Sequence, residues 1–125
     1  MQPGDTFTHQ HTLTQDEFIR FAKLSRDDNP IHVDPEFSAR TRFGKTVAHG
    51  MFLYGLICGV LAKHFPNALP VSQDLMFPAP SFVGEELAIR ARVLETNANT
   101  LRVETIVTRP SGEIGCQAET TLRLA

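Results

Sequence analysis

The sequence predicts a single α+β domain in which an antiparallel sheet packs on one buried helix. Three observations lead there. A stretch from roughly Gly50 to His64 is apolar almost all the way round from Met51 to Ala62, too uniform for a surface helix, so enclosure is expected. The segments after it alternate apolar and polar residues with the period of two that marks strands. Finally, the 125 residues contain no repeat, low-complexity tract or linker, which fits residues 1–125 as one domain.

Taken in order, Gly4 to His11 reads as a first strand, favoured by Thr6, Phe7 and Thr8. Thr14 to Ser25 reads as a helix. Thr14 and Glu17 form a capping box, Leu13 can staple onto Phe18, and Phe18, Phe21, Ala22 and Ser25 keep helical spacing. Pro30 disfavours the α region at Asn29, so this helix should stop before it and leave Asp27 and His32 on irregular backbone. A short helix then restarts with Asp34 as N-cap and Pro35 at its first position. After the central helix, Phe65-Pro66-Asn67 is a stop, and Val71 to Pro78 reads as a strand. Glu86 to Asn97, Leu101 to Val107 and Ile114 to Leu124 read as three more, separated by turns at Asn97-Ala98-Asn99 and Arg109-Pro110-Ser111-Gly112.

Composition narrows the function. A net charge of −2 offers no electrostatic case for nucleic acid or an anionic membrane. The apolar run of the central helix falls short of the roughly 20 residues a bilayer needs. The first residues lack the basic and apolar regions of a signal peptide, so a cytoplasmic location is expected, with Cys58 and Cys116 as free thiols. A hydrophobic share of 42% can build a core, yet a domain of this size leaves apolar surface that a second subunit should cover.

The chemistry concentrates between Ser25 and Leu61. Asp27, Asn29 and His32 share a loop pinned at both ends, where a carboxylate and a neutral imidazole can hold one water and move its proton. Gly50 opens the central helix, and the first amides of a helix have no internal partner and sit at the positive end of its dipole. Glycine there allows a bulky carbonyl to come close and receive that amide as its charge develops. Acid, imidazole and oxyanion donor together point to chemistry beside a carbonyl.

The segments Asp27-Asp28-Asn29-Pro30-Ile31-His32 with Phe37-Ser38-Ala39, then Ala48-His49-Gly50-Met51, then Phe77-Pro78-Ala79-Pro80-Ser81-Phe82-Val83-Gly84-Glu85 resemble, in order, the signature of the (R)-specific enoyl-CoA hydratases of the MaoC-like (hydratase 2) family. The position before Asp27, often glycine in that signature, is Arg26 here. The resemblance implies a hot-dog fold, an antiparallel sheet wrapped around a long central helix, active as a homodimer with sites near the subunit interface. It implies a lyase that adds water to trans-2-enoyl thioesters to give (R)-3-hydroxyacyl thioesters, or removes it. Asp27 and His32 would activate water, the Gly50 amide would bind the thioester carbonyl, and Asn29 would support the loop.

His49, Met51, Tyr54 and Phe77 complete the expected substrate-binding or supporting set. His49 either packs or caps the helix start, or takes a direct role in the site. No metal or redox cofactor is expected; coenzyme A or acyl carrier protein enters as the substrate's carrier. Arg40, Arg42 and Lys45 form a basic connector that is either merely solvated or touches the carrier's phosphates. His9 and His11 share a strand face and are expected to be a solvated pair, and His64 to complement the helix dipole. Two other functions remain open: a thioesterase, although no Asp or Glu lies between Gly50 and His64, and a non-catalytic acyl-thioester-binding subunit.

Overall fold

A computed structural model describes residues 2–124. In chain order the elements are β1 (Thr6–Thr12), α1 (Gln15–Ser25), α2 (Pro30–Val33), α3 (Pro35–Ala39), α4 (Gly50–His64), β2 (Ala68–Met76), β3 (Glu86–Thr96), β4 (Thr100–Thr108) and β5 (Ile114–Leu124). The five strands form one sheet in the order β1-β3-β4-β5-β2, every pairing antiparallel. The sheet curls over α4, which is the hot-dog arrangement.

The alternation seen in the sequence becomes burial. Leu87, Ile89, Ala91 and Val93 of β3, Leu101, Val103 and Val107 of β4, and Cys116, Ala118 and Leu122 of β5 all point inward. They meet Leu53, Ile57, Val60 and Leu61 of α4. Leu13 and Phe18, the expected staple, are both buried in the same core beside the α1 capping box. Cys58 and Cys116 are free thiols.

Several expectations need correction. Helix α4 is not enclosed within this chain: one face is buried, while Met51, Gly55, Gly59 and Ala62 face outward. Uniform apolarity reports that a helix tolerates burial on every side, whereas a sheet can cover only one. A side chain at Gly55 or Gly59 would meet nothing within 4 Å, so neither glycine serves close packing inside the chain. Strand β2 begins at Ala68 rather than Val71. Pro70 cannot donate a ladder hydrogen bond, but β2 lies at the sheet edge and shifts register between Pro70 and Ser72, where a proline is tolerated.

The histidines of β1 are also not a solvated pair. Both point to the half-buried side of the strand. His9 Nε2 lies 2.7 Å from Nε2 of His64, and His11 Nε2 lies 2.6 Å from Glu17 Oε1. The His64 ring stacks on Phe7 with centroids 4.1 Å apart. Burial, then the neighbouring His9 and Lys63, hold its pKa below the usual histidine value.

Candidate active site

Helix α1 delivers the chain to the site and is stopped by Arg26, which adopts the left-handed conformation (φ 66°, ψ 15°) and donates its N–H to Ala22 O at 2.8 Å. This is the place of the signature's glycine, so the turn survives with a side chain bearing its strain. Asp27 follows, its N–H donating to Ser25 Oγ at 3.2 Å.

Pro30 does not leave His32 on irregular backbone, as the sequence suggested. Proline restricts the residue before it but is itself well suited to the first position of a helix. Asn29 therefore takes the N-cap position, its side chain accepting from the Ile31 N–H at 3.1 Å, and the single turn of α2 carries His32. Asp34 then caps α3 through the Glu36 and Phe37 amides.

His32 Nδ1 lies 2.7 Å from the Val47 carbonyl oxygen. A carbonyl only accepts, so Nδ1 carries the proton and Nε2 presents a lone pair. That Nε2 is 3.8 Å from Asp27 Oδ2. The gap is too long for a direct hydrogen bond but suits one water touching both groups. The Asp27 side chain is 56% exposed and that of His32 15%, so the pair opens to solvent on the acid's side.

His49 packs rather than caps. It occupies the N-cap position of α4 without a capping hydrogen bond from its side chain. Instead its Nε2 donates to the Asp27 backbone carbonyl at 2.8 Å, and its ring stacks on His32 with centroids 3.9 Å apart. Burial is the main reason its pKa lies below the ordinary histidine value, with the His32 charge acting in the same direction; the Asp27 carbonyl and carboxylate oppose them. His49 thus touches both members of the acid-imidazole pair. Its Nδ1 is buried without a hydrogen-bond partner.

Gly50 stands at the first position of α4, and its N–H donates to no acceptor among the described residues. The Phe77 ring lies against it: a Cβ added at Gly50 would come within 3.1 Å of that ring. Both residues line an open cleft of about 310 Å³, together with Arg42, Phe43, Leu53 and Ser81. Met51 is half exposed on the outer face of α4. Tyr54 lines a separate cavity with Cys58, Leu61 and Leu122, and its hydroxyl is raised to about pKa 12, chiefly by its hydrogen bond to Cys58. The structure therefore brings Asp27, Asn29, His32 and His49 together, with Gly50 following His49 in the chain and Phe77 against Gly50, and sets Tyr54 at a separate cavity and Met51 on the outer face of α4.

A supporting shell escaped the sequence reading. Gln15 donates to the His32 carbonyl at 2.9 Å and accepts from the buried Thr46 hydroxyl at 2.6 Å, tying α1 to α2 and to the strand-like approach to α4. Ser38, fully buried, donates to Ile31 O. The Phe77 to Glu85 segment grips that approach from the other side: Ala48 N–H donates to Ser81 O and Val83 N–H to Thr46 O. Glu85 accepts from Phe82 N–H at 2.8 Å and pairs with Arg109 at 2.9 Å. Burial pushes the Glu85 carboxyl up, but Arg109, Phe82 and Lys45 outweigh it and leave the pKa low. The only sequence signal for Gln15 was its place inside the capping box; its long-range partners have no local trace.

Asp27, His32 and His49 each bring a possible metal ligand atom within 4.8 Å of the others. Nδ1 of His32 and Nε2 of His49 donate to carbonyls, which leaves Nε2 of His32 and the unpartnered Nδ1 of His49 with the free lone pairs.

An antiparallel sheet around a central helix is the hot-dog fold, and here it carries an acid-imidazole pair and an unengaged amide at the start of the helix. The MaoC like domain matches residues 1–113, and the chain belongs to that family. It is 35% identical over 97 residues to a 3-hydroxybutyryl-CoA dehydratase of Methylorubrum extorquens, covering 76% of this chain and 62% of that protein. It is 40% identical over 79 residues to an (R)-specific enoyl-CoA hydratase of Aeromonas caviae, covering 62% and 59%. The chain thus spans less than two thirds of these relatives' lengths. The solved (R)-hydratase from A. caviae superposes with a TM-score of 0.95 at 29% identity, over 100% of this chain and 98% of the other.

Proposed function

We propose that the protein adds water across the 2,3 double bond of trans-2-enoyl thioesters to give (R)-3-hydroxyacyl thioesters, or catalyses the reverse dehydration. The observation that carries this reading is the 3.8 Å approach of Asp27 Oδ2 and His32 Nε2, both in contact with His49, the residue that precedes the unengaged Gly50 amide. The names of the relatives point the same way. In the hydration direction, a water held between the two side chains gives one proton to the pair as its oxygen bonds to C3. The π electrons move onto the thioester carbonyl, which accepts the Gly50 N–H, and the pair returns a proton to C2 as the enolate collapses. Water is thus added whole, with no net change in redox state. Coenzyme A or acyl carrier protein carries the acyl group.

Asp27→Asn and His32→Ala should each lower turnover of crotonyl-CoA at least ~100-fold, followed by loss of the enoyl thioester absorbance, with circular dichroism unchanged. Wild-type turnover in either variant would remove that residue from the mechanism. Thiol release in place of hydration would mark a thioesterase, a reaction disfavoured here because α4 carries no acid. A cytosolic compartment, supported by the two free thiols, and a homodimer joined through the β2 edge complete the reading.

A further inference from the structure

The connector between α3 and α4 carries three cations, and their surroundings differ. Arg40 ends α3, its backbone N–H donating to Phe37 O. The charge of Lys45 is felt by the Glu85 carboxylate. None of the three side chains makes an ion pair or hydrogen bond among the described residues, but of the three only the Arg42 guanidinium lies over an aromatic ring, 4.8 Å from the Phe43 centroid. Stacking on an aromatic face restricts the side chain before any ligand arrives, so less rotamer freedom is lost when one does.

Arg42 also shares the cleft of about 310 Å³ with Gly50. The walls between them include Phe43, Leu53 and Phe77, so the cleft offers a free amide donor, an apolar passage and an unpaired cation. With a net charge of −2, the molecule as a whole does not attract an anion, and capture must come from a local cation. A guanidinium can meet a phosphate through two parallel N–H donors, which a lysine ammonium cannot match.

We propose that Arg42 is the docking residue for the phosphate at the end of the pantetheine arm, with that arm leaving the Gly50 amide along this cleft. The assignment rests on the thioester reading above and gives it a direction: acyl group and carbonyl at Gly50, carrier toward the α3–α4 connector. The phosphate belongs either to coenzyme A or to the phosphopantetheine of acyl carrier protein, and the same chemistry recognises both.

The test compares three crotonyl thioesters in wild type and Arg42→Ala: coenzyme A, acyl carrier protein and pantetheine, the last carrying the arm without its phosphate. The variant should lose about tenfold in kcat/KM on at least one phosphate-bearing substrate, through KM. The loss on crotonyl-pantetheine should be at least about fivefold smaller, and Arg42→Lys should recover part of it. The substrate that suffers identifies the carrier. Equal losses on all three substrates, or no loss on either phosphate-bearing one, would overturn the assignment. If wild type hydrates none of them, the hydratase reading fails separately, and calorimetric titration with free coenzyme A, holo acyl carrier protein and pantetheine decides Arg42. Weaker binding of a phosphate-bearing ligand alone in Arg42→Ala supports it; unchanged binding, or the same weakening for pantetheine, rejects it.

Discussion

Arg26 and His49 show how single residues hold the acid in place. A left-handed backbone costs an L side chain about 1–2 kcal/mol relative to the right-handed form, and Arg26 adopts it at φ 66° to end α1 one residue before Asp27. Arg26→Gly should therefore raise stability by about 1 kcal/mol in urea unfolding, with crotonyl-CoA turnover retained because the Asp27 turn is kept. A loss of stability would mean that the arginine side chain contributes more than its backbone costs. The acid, the amide and the imidazole were legible as chemistry from their types and spacing. The stack of His49 on His32 was not, because contact across the interval from α2 to α4 leaves no local pattern.

At the scale of elements, the strands were readable because burial follows their two-residue alternation, and α1 because its capping box is local. Helix α4 was readable as a helix but not in its surroundings, since only the sheet's position decides which face is covered. Strand β2 is an edge strand that exposes Leu69 by 57%, Val71 by 49% and Met76 by 59%. An apolar edge with unpaired backbone groups is open to pairing with another chain. The protein should accordingly sediment as a dimer, and Val71→Lys should shift it toward the monomer in analytical ultracentrifugation. A monomeric wild type would remove the β2 edge from the proposal.

For the whole molecule, pH links site and stability. His49 and His64 both have pKa values lowered in the folded state, each chiefly by burial. Below their ordinary pKa of about 6.5 the unfolded chain binds protons that the folded one resists. Their contribution is thus fully present above that pH and is lost as pH falls below it toward the depressed folded values. Melting temperature should fall between pH 7 and pH 5, and His49→Gln with His64→Gln should flatten the slope. Glu85, also held low, acts in the carboxylate range and should weaken the fold only at more acid pH.

The sequence by itself determined the fold class and the order of the main elements, and it singled out Asp27, His32 and Gly50 as the acid, imidazole and amide of the proposal, because alternation, caps and short motifs are properties of neighbouring residues. Only the tertiary structure decided the proton position on His32, the clamp of His49 on Asp27, the split between the Gly50 cleft and the Tyr54 cavity, and the unpaired state of Arg42. Each of these depends on atoms far apart along the chain meeting within a few ångströms, which no local pattern encodes.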